Sequence, residues 1–368
     1  MQLKENLHLM GEVIEKMDYM VRVMDADRKV IYMNEKMRKA FGNTKGAFCF
    51  DLLGGQSRCE NCITAGSRET GKPQEKDVSI GDQYFKLMSS PVSIDTQEKF
   101  SIELLHEITE QKKIEVELLK HYEKLKEDIA FAKQIQHRAL PIDGEYWNCL
   151  RTTTLYIQSE DLGGDIFDII KLGENRVLTY IADVSGHGIK SSLLTIFLRQ
   201  VIRGSAKKEN LDMKELLDDL LKNYTDLHTN MENYLTILCA IYDKSAGTVS
   251  FANAGHNCLP ILVTKDGSIR EVSVKGMPVC NLIETSEHEV VTVEANPGDR
   301  IILYTDGISE SYSKVVKRQF GAEGIIEVIE EYKLLDNKQL ASKIIQSAAA
   351  FAGIIPIDDM ALVIAEVM

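Results

Sequence analysis

The chain has 368 residues, 44% of them hydrophobic and 27% charged, with seven cysteines and a formal net charge of −13 at pH 7. These values describe ordinary globular protein with enough length for two domains, and an acidic balance without a basic cluster argues against nucleic acid as a partner. No long apolar run offers a membrane span. The acidic start, which lacks an apolar signal region, and the odd number of cysteines point to reduced thiols in a cytoplasm.

Residues 1–20 read as a helix, with Leu3, Leu7, Met10, Val13, Ile14 and Met17 at helical spacing. Two strand-like runs follow, joined by the turn Asp25-Ala26-Asp27, and then a mixed stretch that ends at Gly42. Three further strand-like runs lie in DVSIGDQYFKLMSSPVS and EKFSIELLHEI. A strand pair, short helices and three strands predict a small α+β domain over residues 1–110.

Within it, Cys49, Cys59 and Cys62 cluster in FCFDLLGGQSRCENC. A C-x2-C pair with a third cysteine nearby offers three readings: a metal site, an iron–sulfur centre or a thiol switch. Three thiolates are one short of a closed tetrahedral set, which His106 or a residue of a partner chain would have to complete. The alternative is a loop of ordinary reduced cysteines. Cys149, Cys239 and Cys280 sit in apolar surroundings and read as inert.

Residues 111–140 are charged and predict a helix that Pro141 ends. Tyr122 and Ile129 share one heptad position, and Leu118, Leu125 and Ala132 share another, while Glu115 and Gln136 interrupt the seam. The pattern fits a short parallel coiled coil between two copies, or one amphipathic helix lying on the next domain. Residues 141–368 then carry many strand-like runs interrupted by helical ones, without βαβα alternation. That order predicts an α+β domain of antiparallel sheets with helices packed outside.

In this second half, acids end the predicted strands. Asp165 closes DLGGD, Asp183 opens DVSGHG, Asp306 lies in LYTDG, and Asp358 and Asp359 precede the last strand. Hard oxygen donors beside glycines suit Mg²⁺ or Mn²⁺, and no Cys/His spacing for zinc occurs here. Without a cation, carboxylates crowded together would weaken the site.

Read in order, DLGGDIFDII, ADVSGHGIKSSLLT, FANAGHNCLPIL, GMPVC, PGDRIILYTDGISES, FGAEGI and DDMALVIAE resemble the PPM (type 2C) metal-dependent protein phosphatases, in their SpoIIE/RsbU-like branch. AKQIQHRALP is similar to the helix that precedes that catalytic domain. The resemblance implies an α-β-β-α sandwich over 141–368. It also implies hydrolysis of phosphoserine or phosphothreonine by water activated at two divalent ions (Mn²⁺ or Mg²⁺). Asp183 would bridge the ions, with the Val184 carbonyl as a further ligand. Asp306 and Asp358 would hold the second ion, Asp165 would support the site directly or through water, and Asp359 would be a neighbour. Asp161, His187 and Cys258 stand where the branch often has glutamate, lysine and proline, and none of these departures removes a ligand. His256 and Asn257 would shape a turn near the site.

The first half resembles a PAS sensor in DADRKVIYMNEKMRKAFG, YFKLMSSPV and LLHEITEQKK; no ligand for it is specified. Together these resemblances imply a cytoplasmic, PAS-regulated protein phosphatase. It would act on a phosphorylated STAS-type anti-anti-sigma protein and form a homodimer through the sensor and the linker helix. The rival readings are a non-catalytic phosphoprotein-binding adaptor and a small-phosphoester hydrolase.

Overall fold

In the computed structural model, residues 2–53, 59, 61–94, 98–186, 188–208, 211–227, 234–283, 288–353 and 358–368 are described. The chain divides into two compact units, Met1–Lys124 and Leu125–Met368. The division falls inside one continuous helix.

The first unit opens with α1 (Gln2–Lys16), then β1 (Met20–Met24), β2 (Val30–Met33), α2 (Glu35–Phe41), α3 (Ile63–Thr70), β3 (Gln74–Ile80), β4 (Gln83–Ile94) and β5 (Glu98–Glu107). The five strands form one antiparallel sheet in the order β2-β1-β5-β4-β3, the α+β make-up expected of a PAS-like domain. Met20, Met24, Val30, Met33, Met37, Phe85, Leu87 and Leu105 fill its core. The Asn34 side chain caps α2 by accepting from the Met37 amide, and it also accepts from the Val21 amide, which ties the helix start to β1. Arg22 and Glu103, both almost fully buried, pair at 2.6 Å across β1 and β5.

Helix α4 runs from Thr109 to Ala139. The predicted seam residues Leu118, Tyr122 and Leu125 are 67%, 64% and 51% exposed. Gln136, which broke the apolar pattern, is buried for a reason given below. Among the described residues no helix is long and apolar enough to cross a membrane.

The second unit continues with β6 (Gly144–Tyr146), β7 (Leu150–Ile157), β8 (Asp165–Leu172), β9 (Arg176–Val184), α5 (Ile189–Ser205), α6 (Met213–Asp226), β10 (Leu235–Asp243) and β11 (Thr248–Ala254). There follow β12 (Ile261–Val263), β13 (Ile269–Glu271), β14 (Val290–Glu294), β15 (Arg300–Tyr304), the one-turn α7 (Asp306–Ser309), and the two-residue strands β16 (Tyr312–Ser313) and β17 (Arg318–Gln319). The chain closes with α8 (Gly321–Tyr332), α9 (Asn337–Ala352) and β18 (Met360–Val367). Strands pair antiparallel in two large sheets, β14-β11-β10-β9-β8 and β13-β12-β15-β18-β7-β6, while β16 and β17 pair only with each other.

Strand periodicity builds three packed interfaces, because successive side chains point to opposite faces. In β9, Val177 and Ile181 face the space between the sheets, while Leu178, Tyr180, Ala182 and Val184 face α5 and α6. In β18, Ala361, Val363, Ala365 and Val367 face the same central space, while Met360, Leu362 and Ile364 face α8 and α9. Both faces of each central strand are dry, which explains why these strands read as continuous apolar runs. The result is the expected sandwich of two antiparallel sheets with helices on both outer faces.

Candidate metal centre

The acids gather because the two sheets end together. Asp165 begins β8 and Asp183 lies one residue before the end of β9, and the two are register partners. On the other sheet, β15 and β18 are neighbours. Asp306 opens α7 directly after β15, and Asp358 and Asp359 directly precede β18.

Close backbone approaches hold this junction. A Cβ on Gly164 would stand 2.8 Å from the Val184 carbonyl oxygen, and one on Gly307 would stand 2.0 Å from that of Asp359. Only glycine lets the DLGGD turn lie against β9 and the start of α7 against the 358–359 turn.

Thr305 links the sheets. Its hydroxyl accepts from the Ala361 amide at 2.9 Å and donates to Asp165 Oδ2 at 2.7 Å, so one carboxylate oxygen of Asp165 is fixed from the opposite sheet. Asp359 is a second link. Its Oδ1 accepts from the amide (2.8 Å) and the hydroxyl (3.0 Å) of Ser159, and its Oδ2 accepts from the Gly164 amide at 2.7 Å. The Tyr156 hydroxyl lies 3.4 Å from the same Oδ2. Both oxygens of Asp359 are therefore committed to holding the 159–164 turn.

Gln136, at the end of α4, holds that turn from its other side. Its amide nitrogen donates to the Gly163 carbonyl at 2.8 Å, and its oxygen accepts from the Gly163 amide at 3.3 Å and from Gln158 at 3.0 Å. An apolar residue at the seam position would leave these buried backbone groups unpaired.

His256 clips the two sheets below the acids. Its Nε2 lies 2.9 Å from the Tyr304 carbonyl, which can only accept, so that nitrogen carries the proton and Nδ1 accepts from the Thr236 hydroxyl at 3.2 Å. Burial pushes its pKa down to about 4, and the ring stays neutral. The Asn253 side chain closes the turn through the His256 amide and carbonyl.

The electrostatics are one-sided. Asp183 is raised to about 7, first by burial and then by the charges of Asp306, Asp358 and Asp359. Burial, followed by Asp358 and Glu310, raises Asp306 to about 6. Asp165 is raised well above the carboxylate range by burial and by Asp183, against the opposing pull of the Thr305 hydroxyl. The charges that act most strongly on these acids are all carboxylates. Asp358 is the exposed member, and its Oδ1 accepts from the Asp359 amide at 2.8 Å.

Such a set fits a hard divalent cation in donor type and in uncompensated charge. Among the described residues, no three His, Cys, Asp or Glu side chains stand close enough together to enclose an ion as they are. Charge coupling extends further than ligation, so the acids share one end of the sandwich without a closed cage. His187 lies outside the described residues. Thr305, Tyr156 and the clamp role of Asp359 escape a sequence reading; the one local signal is a hydroxyl residue directly before an Asp-Gly pair that follows a strand.

The architecture is that of the PP2C fold. The SiaA-PP2C domain of Pseudomonas aeruginosa superposes with a TM-score of 0.58 at 16% identity, over 67% of this chain and 98% of that one. The RsbU and RsbW domains of Rv1364c from Mycobacterium tuberculosis give 0.50 at 23% identity, over 60% of each chain. The profile of the family described as Stage II sporulation protein E (SpoIIE) matches residues 173–368, more than half of the sequence, and the chain belongs to this family. It is 27% identical over 195 residues to "Phosphoserine phosphatase RsbP" of Bacillus subtilis, covering 50% of this chain and 46% of that protein. With "Phosphoserine phosphatase RsbU" of the same organism it shares 21% over 188 residues, covering 51% and 55%. The chain thus spans about half the length of these relatives.

Proposed function

We propose that this chain is a metal-dependent serine/threonine protein phosphatase that hydrolyses phosphoserine or phosphothreonine on a signalling protein. The observation that carries this reading is the meeting of Asp165 and Asp183 from one sheet with Asp306 and Asp358 from the other, their strongest charged neighbours all being acids. Two Mn²⁺ or Mg²⁺ ions would be held by Asp183, the Val184 carbonyl, Asp306 and Asp358, with Asp165 in support. When bound, such ions make water a nucleophile near neutral pH and neutralise charge on the phosphoryl group.

The chain's own residues shape the site. Asp183 and Asp306 give up their protons to bind cations. Thr305 orients Asp165, and Asp359, Gln136 and the glycine contacts fix the turn beside it. The relatives named phosphoserine phosphatases support phosphoserine as the group hydrolysed, and a phosphorylated STAS-type protein is proposed as its carrier from the resemblance to the RsbU-like branch.

The PAS-like unit is the regulator in this proposal. Its signal would pass along α4, whose Gln136 bonds both backbone groups of Gly163. The exposed Leu118, Tyr122 and Leu125 support pairing of α4 with a second copy, and the protein would work in the cytoplasm. The test is to incubate the purified chain and Mn²⁺ with phosphorylated STAS proteins, a phosphopeptide, a nucleotide and para-nitrophenyl phosphate. Selective dephosphorylation of a STAS protein supports the proposal. Turnover of the nucleotide alone favours a small-phosphoester hydrolase, and binding without turnover favours an adaptor.

A further inference from the structure

The first unit holds a group of thiols that the phosphatase reading does not use. Arg28 sits at the turn between β1 and β2 in a left-handed conformation (φ 67°). Its carbonyl accepts from the Cys49 amide at 3.1 Å, and its guanidinium Nη1 lies 3.8 Å from Cys62 Sγ. One residue therefore holds the backbone of one cysteine and the sulfur of another.

Cys62 is the N-cap of α3 and makes no side-chain cap bond; its thiol is turned to Arg28 instead. It is half-buried, while Cys49 is buried. The Cys49 carbonyl accepts from Arg22, which pairs with Glu103, and Glu103 accepts from the Thr64 hydroxyl in the first turn of α3. Both cysteines thus border one buried polar node that joins β1, β5 and α3. Burial and then the Glu103 charge raise the Cys49 thiol, against the opposing pull of Arg22. The three cysteines do not form a group that could enclose a metal ion.

We infer that Cys62 and Cys49 form a peroxide-responsive dithiol, with Cys62 the attacked thiol, Cys49 the resolving one and Arg28 the group that positions both. Cys62 is the more reachable sulfur of the pair, and its guanidinium neighbour can hydrogen-bond the oxygen of a hydroperoxide or of the product. The Cys62 thiolate attacks one peroxide oxygen. An S–O bond forms, the O–O bond breaks, and the other oxygen leaves as water or alcohol after taking a proton. Cys49 sulfur then attacks the Cys62 sulfenic acid. The disulfide forms, the S–O bond breaks, and the hydroxyl leaves as water with the Cys49 proton. The two thiols together lose two electrons and the peroxide gains them. A bond between Cys49 and Cys62 would tie the segment before α3 to the helix start, next to the Arg22–Glu103 pair.

The test uses the full reduced chain, hydrogen peroxide, and timed alkylation followed by peptide mapping, and its readout is independent of phosphatase activity. A Cys49–Cys62 disulfide is expected while Cys280, half-buried in the second unit, stays alkylatable. Cys49→Ser should leave a Cys62 sulfenic acid that dimedone traps. Arg28→Gln should slow oxidation roughly tenfold, the scale of one lost charge-assisted hydrogen bond, with the circular dichroism unchanged. Oxidation of Cys62 no faster than that of Cys280, an unchanged rate in Arg28→Gln, or a Cys59–Cys62 bond would each overturn the assignment.

Discussion

Asp165 and Asp183 stand opposite each other as register partners across β8 and β9, and each is forced away from its ordinary acidity largely by burial and acidic neighbours. Two carboxylates so placed oppose the fold unless protons or a cation neutralise them. Asp183→Asn removes one of these charges. The variant should melt higher than wild type in EDTA at pH 8 and lose the rise in melting temperature that Mn²⁺ gives wild type, both measured by differential scanning fluorimetry.

The pH dependence of the metal-free protein carries a definite sign. Asp183 and Asp306 are raised from 3.8 to about 7 and about 6. Their contribution to stability is present in full below 3.8 and is lost as pH rises through 6 and 7. His256, lowered from 6.5 to about 4, acts oppositely: its contribution is present above 6.5 and lost as pH falls through 4. Urea denaturation of wild type and Asp183→Asn across this range separates the two, since His256 is common to both. The gap between the proteins should open as pH rises.

Cation binding must displace the same protons. The Mn²⁺ affinity measured by calorimetry should therefore strengthen from pH 5.5 to 7.5, by roughly tenfold for each proton displaced per pH unit, with protons released to buffer. Affinity that is flat over this range would show that neither Asp183 nor Asp306 takes part.

Asp359 predicts a contrast with its neighbour. Its oxygens accept from Ser159 and Gly164, and an asparagine would turn an NH₂ group toward one of these donors. Asp359→Asn should cost about 1–3 kcal/mol of stability. Asp358→Asn, at an exposed position, should leave stability within about 0.5 kcal/mol and instead weaken Mn²⁺ binding. Chemical denaturation and calorimetry on both variants check the pair.

Much of this architecture is legible in the sequence, since strands buried on both faces give apolar runs and amphipathic helices give their period. The acids too are visible, because each lies at or next to an end of a strand-like run, with a glycine adjoining Asp165 and Asp306. Thr305, Tyr156 and the clamp made by Asp359 are not, because their roles depend on partners up to two hundred residues away. Gln136 shows the same limit. As sequence it is a fault in a heptad seam, and only the fold shows that it satisfies the backbone of Gly163.

The measurement that bears most directly on the central claim is phosphate release from a phosphoserine protein by wild type and Asp306→Asn, with Mn²⁺ and with EDTA. Wild type should turn over only with Mn²⁺, and Asp306→Asn should fall by at least about a hundredfold at saturating metal, with its fold intact by circular dichroism. Turnover in EDTA, or an Asp306→Asn variant as active as wild type, would contradict the account.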